Sequence, residues 1–278
     1  MEKIRLDQLL VDKKLTDNRN EAQRLIRAGV VLVREEVSDK PGVKVAKDAP
    51  IRLLKPESPY VSRGGLKLEG ALKRFGIDPS GCIAADLGAS TGGFTDCLLK
   101  HGARKVYAMD VGYGQLAYSL QIDPRVVVMD RTNTRYLTRE DLGEAVDIVV
   151  ADLSFISIRT VFPAIQRIIK EDGIAILLIK PQFEIGKGRV GKKGIVRKAD
   201  DHAEVLEDCV LFLSQKGWRT VGIAPSPITG KSGNIEFLLY GAPSGSETLT
   251  SDAIRSIVQE SHSHANPDKK SNESDQTQ

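Results

Sequence analysis

The sequence predicts an α/β protein in which a small α+β domain precedes a larger domain with an open, mostly parallel sheet of seven strands. From residue 82 onward, short runs rich in Val, Ile and Ala alternate with helical patterns. Such alternation is typical of a parallel sheet covered by helices on both faces. The last two strand patterns are joined by a connection too short for a helical crossover, so we expect these strands to pair antiparallel. The first fifty residues carry two amphipathic helical patterns and a short hairpin pattern instead.

Composition divides the chain into four segments. We expect the small domain over residues 1–53, a Pro- and Ser-rich linker over 54–62 and the large domain over 63–243. Residues 244–278 are rich in Ser, His, Asn, Lys and Gln, and we expect a mostly disordered tail with one amphipathic patch at 254–258.

Helical spacing of apolar residues predicts the two helices of the small domain. The apolar stripes comprise Leu6, Leu9, Leu10, Ala22, Leu25 and Ile26. Asp17 or Asn18 can cap the second helix, and Gly29 can end it. The VVLV run that follows predicts the first strand of a hairpin.

The net charge of +3 conceals two basic regions. Residues 1–67 contain 15 Lys/Arg against 10 Asp/Glu, and residues 181–198 contain 6 against 1, so the rest of the chain is acidic. Separated basic patches favour nucleic-acid binding, because Lys and Arg neutralise phosphates. The glycine-rich basic segment 186–198 is either an RNA-facing loop or a plain surface excursion. The candidate RNA contacts are Arg5, Arg19, Arg24, Arg27, Lys187, Arg189, Lys192 and Lys193.

In the large domain, a glycine-rich turn follows the first apolar strand and opens a helix, as in nucleotide-type cofactor sites. Its pattern is neither G-x-G-x-x-G nor a phosphate-binding P-loop. The pattern D-x-G-x-x-x-G-G resembles the S-adenosylmethionine motif of class I methyltransferases, whose fold is Rossmann-like. Asp110 and Asp130 end the next two strands, where the resemblance implies contacts to the cofactor's ribose and adenine. The candidate cofactor residues are Asp86, Gly88, Ser90, Thr91, Gly92, Gly93, Phe94, Asp110 and Asp130.

Four charged residues in or beside apolar stretches are candidates for catalysis: Lys67, Asp152, Lys180 and Glu236. A buried charge is costly unless it is paired, and two lysines with two carboxylates can satisfy one another. Methyl transfer to a hydroxyl needs a positioned acceptor and a group that removes its proton. Our hypothesis is that Lys180 is the base and Asp152 aligns it, while Lys67 and Glu236 hold the cluster and the substrate ribose.

Several longer motifs carry a more specific resemblance. RLDQLLVDKKLTDNRNEAQRLIRAGVVLV followed by KPG resembles the S4 RNA-binding domain, with Arg34–Glu35 at a hairpin turn where Asn-Gly is common. YVSRGGLKL, DLGASTGGFTD, DLSFIS and IKPQFE resemble the TlyA family, and the four charged residues match the Lys-Asp-Lys-Glu set of FtsJ-like ribose 2′-O-methyltransferases. The resemblance implies 2′-O-methylation of cytidine in ribosomal RNA, and it also brings a historical hemolysin label.

Composition also bears on the location of the protein, on metal binding and on alternative functions. The apolar run at 174–179 is far shorter than the ~20 residues of a membrane span, and the N-terminus lacks a signal-peptide core, so we expect a cytoplasmic protein. Three scattered cysteines predict reduced packing residues and no metal site. The alternatives are a non-catalytic RNA-binding or ribosome-assembly protein, a membrane-active hemolysin and a base methyltransferase. The sequence DLSF lacks the NPPY-type aromatic clamp typical of the last of these.

Overall fold

The chain forms two compact units that divide between Pro59 and Tyr60. The second unit begins before the expected residue 63, because Tyr60 is buried and lies directly against the backbone of Gly65. The computed structural model describes residues 3–16, 18–27, 29–54, 58–186, 188–191, 194–230, 232–243 and 249–265.

The first unit is built from short elements around a small apolar core. Its described elements are β1 (Lys3–Arg5), α1 (Leu6–Asp12), α2 (Arg19–Arg27), β2 (Val31–Val33), β3 (Glu36–Val37), β4 (Lys44–Ala46) and β5 (Ile51–Leu53). β1 pairs with β4, and β3, β2 and β5 form an antiparallel sheet in that order. The predicted stripes meet in the core, where Leu6, Leu10, Ala22 and Ile26 are fully buried. Asn18 caps α2 by accepting a hydrogen bond from the Glu21 amide at 2.9 Å.

The hairpin between β2 and β3 turns through Arg34 and Glu35. Both residues have positive φ, 54° and 67°, as a two-residue type I′ turn requires. Arg52 on β5 donates two hydrogen bonds to the Glu35 carboxylate, at 3.2 and 2.5 Å. The turn therefore has the usual hairpin geometry although neither residue is Asn or Gly.

The second unit alternates strands and helices. Its first half comprises α3 (Gly64–Phe75), β6 (Ile83–Leu87), α4 (Gly93–Lys100), β7 (Lys105–Met109), α5 (Tyr118–Gln121), β8 (Val126–Met129) and α6 (Arg139–Leu142). Its second half comprises β9 (Val146–Ala151), α7 (Ile158–Ile168), β10 (Ile169–Ile179), α8 (Pro181–Glu184), α9 (Ala199–Gln215), β11 (Arg219–Pro225), β12 (Phe237–Ala242) and α10 (Ser251–Ala265).

These strands form one seven-stranded sheet in the order β11-β12-β10-β9-β6-β7-β8. The five strands from β6 to β10 pair with one another in parallel. β12 is antiparallel to both of its neighbours, β10 and β11. The expected mostly parallel sheet with an antiparallel final pair is thus confirmed. Apolar clusters cover both faces, one containing Phe162 of α7 and Leu206 of α9, the other Leu68 of α3 and Leu98 of α4. The sheet is consequently buried on both sides, which explains its nearly continuous apolar strands.

The expectation of a mostly disordered tail over 244–278 is wrong for residues 251–265, which form α10 against α9 and β11. Ile254 and Val258 lie one helical turn apart, so they share a face, and each is only 1% exposed. The ring nitrogen Nε2 of His262 lies 2.8 Å from Nδ1 of the buried His202 on α9. Residues 244–248 and 266–278 lie outside the described part of the chain.

The three cysteines are free, and Cys97 and Cys209 are buried, as packing residues should be. Burial raises the pKa of the Cys97 thiol to about 12, so this thiol is unreactive at neutral pH. In the described part of the chain, no helix has both the length and the apolar character needed to cross a membrane.

Candidate active site

A cavity of about 460 Å³ opens at the carboxyl ends of β6, β9 and β10. The chain leaves β6 toward β7 on one side and later returns to β9 on the other, so this is the topological switch point where open α/β sheets bind ligands. Six of the nine candidate cofactor residues line the cavity with all four candidate catalytic residues, whereas Gly92, Asp110 and Asp130 do not. The lining candidates are Asp86, Gly88, Ser90, Thr91, Gly93, Phe94, Lys67, Asp152, Lys180 and Glu236.

Glycines let the turn after β6 pass close to its neighbours. Gly88 has φ +85°, and a Cβ there would lie 2.8 Å from the carbonyl oxygen of Asp152. Gly93, the first residue of α4, contacts the start of α3 so closely that a Cβ would lie 2.8 Å from the Gly65 amide nitrogen. The close approach of Gly88 to Asp152 and that of Gly93 to Gly65 therefore fix the backbone that forms the floor of the cavity.

Asp86 is the most buried polar group of this floor. Its Oδ2 accepts hydrogen bonds from the amide and hydroxyl of Thr95, at 3.0 and 2.6 Å, whereas its Oδ1 has no partner among the described residues. Desolvation by burial raises the pKa of the Asp86 carboxyl to about 7. An unpaired carboxylate oxygen beside a cavity fits a ligand that carries an ammonium group.

Asp110 and Asp130 shape the loop beyond the glycine turn. Asp110 accepts hydrogen bonds from the amides of Ser90, at 2.9 Å, and Gly112, at 2.7 Å. Asp130 accepts one from the amide of Gly114 at 3.0 Å. Each carboxylate retains accepting capacity, but their contacts to the ribose and adenine of a cofactor stay predictions.

The four candidate catalytic side chains form one linked cluster. Lys67 on α3 donates a hydrogen bond to Glu236 with an Nζ–Oε2 distance of 2.5 Å. Lys180, directly after β10, has its Nζ 2.5 Å from Oδ1 of Asp152, and Oδ2 of the same carboxylate lies 3.8 Å from Lys67 Nζ. Lys67, Lys180 and Glu236 are buried, so their charges balance one another inside the protein.

Among the cavity-lining residues that the candidate lists did not include are Ser154, Phe155, Gln182 and Phe183. Ser154 accepts a hydrogen bond from Lys180 Nζ at 3.1 Å. Phe155 is 89% exposed and has a positive φ of 64°, and its ring lies 5.3 Å from that of Phe183. The Oε1 of Gln182 is buried without a partner among the described residues. The sequence signals for these residues were their proximity to Asp152 and Lys180 and their place in the motifs DLSFIS and IKPQFE.

The candidate RNA contacts have different surroundings. Arg5 and Arg19 both bind the buried Asp7 and remain about half exposed, while Arg24 lies 4.0 Å from Glu21. Arg27 is an exposed residue at the end of α2. Arg189 pairs with Asp201, at 2.7 Å, and with Glu204 on α9, and its contact with RNA stays a prediction. Lys187, Lys192 and Lys193 lie outside the described residues.

S-adenosylmethionine fits this site. Among the described residues, the two lysines that line the cavity are both paired with carboxylates, and the unpaired oxygen of Asp86 matches the ammonium group of the methionine moiety. The fold and the site together define a class I S-adenosylmethionine-dependent methyltransferase.

The chain belongs to the FtsJ-like methyltransferase family, whose model matches residues 60–242, and it carries an S4 domain over residues 4–51. The 16S/23S rRNA (cytidine-2′-O)-methyltransferase TlyA of Mycobacterium tuberculosis is 43% identical over 257 residues, which cover 92% of this chain and 96% of that protein. YqxC of Bacillus subtilis, provisionally named an rRNA methyltransferase, is 46% identical over 265 residues, 94% of each chain. The predicted TlyA-type architecture is thereby confirmed.

A solved structure agrees over nearly the whole chain. A Streptococcus thermophilus protein with a provisional hemolysin label superposes with a TM-score of 0.75 at 38% identity, covering 97% of this chain and 99% of that one.

Proposed function

We propose that this protein transfers a methyl group from S-adenosylmethionine to the ribose 2′-hydroxyl of a cytidine in ribosomal RNA. The observation that carries the proposal is the cluster of Lys67, Asp152, Lys180 and Glu236 beside the glycine turn in one cavity. The ribosomal substrate and the cytidine come from the names of the TlyA relatives.

Each residue of the cluster has a distinct role in the proposal. The bound cofactor supplies a methyl group activated on a sulfonium. Lys180 accepts the proton of the 2′-hydroxyl as the methyl group is transferred, and Asp152 and Ser154 orient this lysine through their contacts with Nζ. Lys67 is held by Glu236 at 2.5 Å and provides a fixed donor for the ribose oxygens. The cofactor itself is held by Asp86, the turn from Gly88 to Phe94, Asp110 and Asp130.

The first unit supplies the grip on RNA. In this proposal Arg5, Arg19, Arg24 and Arg27 contact phosphates of folded ribosomal RNA, which S4-type modules recognise by shape and backbone charge. The segment containing Lys187, Arg189, Lys192 and Lys193 adds phosphate contacts, with Arg189 exchanging an acidic partner for phosphate. Because ribosomes are the substrate, the protein works in the cytoplasm.

The experiment incubates purified protein with radiolabelled S-adenosylmethionine and ribosomal subunits from a strain that lacks the gene. We expect methyl transfer by the wild type, at least a thousandfold less by Lys180→Ala, and near-normal transfer by Lys73→Ala. Lys73 is an exposed lysine on α3 that pairs with Glu69, so it controls for loss of a lysine. Cofactor affinity, measured by calorimetry, should be unchanged in both variants.

Three outcomes would count against the proposal. Absence of transfer by the wild type, with intact binding to subunits, would favour a non-catalytic assembly protein. Leakage of purified liposomes at low protein concentration without transfer would favour a membrane-active hemolysin. Full activity of Lys180→Ala would remove this lysine from the mechanism.

A further inference from the structure

Asp7, in the first turn of α1, lies at the centre of a charged face that comprises Arg5 at the end of β1 and Arg19 at the start of α2. Its side chain is fully buried, yet it accepts hydrogen bonds from two partly exposed arginines. Arg5 donates from Nε and Nη2, at 3.0 and 2.7 Å, so it meets both carboxylate oxygens side-on. Arg19 donates from Nη2 to Oδ2 at 3.1 Å, and Gln23 donates to the same oxygen at 2.9 Å.

This arrangement holds two like charges close together. The Nη2 atoms of Arg5 and Arg19 both contact Oδ2 of Asp7, which places them less than 6 Å apart. Two guanidinium groups at that separation repel each other unless an anion lies between them. The hydrogen bond from Arg5 holds the pKa of the Asp7 carboxyl well below its usual range, so the anion persists throughout the physiological pH range.

Arg5 and Arg19 are held in place by Asp7 but remain accessible to a ligand. Their side chains are 46% and 49% exposed, and the pair carries one positive charge in excess of the carboxylate. A phosphate group has several acceptor oxygens and can bind two guanidinium groups at once. Fixing both side chains before binding also reduces the entropy lost when the contact forms.

We propose that Asp7 is a positioning residue that sets Arg5 and Arg19 as a single fork for one RNA phosphate. The proposal rests on the proposed function in taking RNA as the ligand. This proposal and a model based on net charge alone predict opposite changes in RNA affinity when the Asp7 carboxylate is removed. If only net charge mattered, removing the carboxylate of Asp7 would tighten RNA binding, because the face becomes more positive. If the carboxylate positions the fork, its removal weakens binding.

The test compares full-length Asp7→Asn with Asp12→Asn by filter binding to transcribed 16S and 23S rRNA over a range of KCl concentrations. Both substitutions remove one negative charge from α1, but Asp12 is exposed and accepts a hydrogen bond from the neighbouring Gln8. Counterion release makes one phosphate contact worth about fivefold in affinity at 0.15 M salt. We therefore expect Asp7→Asn to bind about fivefold more weakly, with a salt slope lower by about one. Asp12→Asn should bind equally or more tightly.

Equal or tighter binding by a folded Asp7→Asn would overturn the proposal. Should circular dichroism show that this variant loses its fold, Arg5→Lys and Arg19→Lys decide the matter, since lysine keeps the charge but not the fork. Unchanged affinity in both lysine variants would equally overturn it. Methyl transfer by the wild type is assayed separately, so failure of the proposed function is distinguishable from failure of the positioning role.

Discussion

Replacing Asp86 by Asn tests two effects of its buried negative charge: the charge lowers the free energy of unfolding, and it binds the ammonium group of the cofactor. Burial raises the pKa of this carboxyl from 3.8 to about 7. Between these values the folded protein binds more protons than the unfolded chain, so the free energy of unfolding falls as pH rises from about 4 to 7. Integrating the shift gives a loss of about 2–3 kcal/mol between pH 5 and pH 8. Asparagine does not ionise, so the variant escapes this loss.

The assay is thermal unfolding of both proteins at pH 5 and pH 8 without cofactor. For a chain of this size 1 kcal/mol corresponds to about 2–4 °C, so the melting temperature of Asp86→Asn relative to wild type should rise by about 5–10 °C from pH 5 to pH 8. The same variant should bind S-adenosylmethionine at least tenfold more weakly at pH 8, because it lacks the carboxylate that pairs with the ammonium group. A difference in melting temperature that is independent of pH would refute the reasoning.

Three other substitutions test the remaining parts of the account. Gly93→Ala places a Cβ 2.8 Å from the Gly65 amide nitrogen, so calorimetry should show at least tenfold weaker cofactor binding. Normal cofactor affinity would mean that this close approach of α4 to α3 is not part of the site. Glu236→Gln removes the charge that holds Lys67 and should lower kcat more than tenfold while cofactor affinity is kept; unchanged kcat would contradict its role. Ile254→Ala should lower the free energy of unfolding in urea by about 2–4 kcal/mol, and an unchanged midpoint would mean that α10 does not pack as described.

The architecture of the second unit was predictable because the local composition identifies its strands. Runs such as VDIVVA in β9 and IAILLI in β10 are apolar and rich in β-branched residues, and parallel strands buried on both faces require that composition. The antiparallel final pair followed from the short connection before β12. The charged cluster was predictable for a related reason: Lys180 and Glu236 adjoin buried strands, where an unpaired charge is too costly to persist.

What the sequence did not reveal depends on contacts between distant segments. The composition of the tail suggested disorder, and the packing of Ile254 and Val258 became evident only once α9 and β11 were adjacent to them. The ion pairs of Arg189 were not apparent from the sequence, because its partners Asp201 and Glu204 lie on a helix that begins ten residues later. Gln182 was not identified as a site residue, since its unpaired oxygen is a property of the folded cavity.

The central claim is that the Lys-Asp-Lys-Glu cluster directs the methyl group to a ribose oxygen. The most direct test is mass spectrometry of the nucleosides released from ribosomal RNA that the purified protein has methylated. The account predicts a methylated cytidine whose fragmentation at the glycosidic bond gives an unmodified cytosine and a methylated ribose. A methyl group found on the base would contradict it.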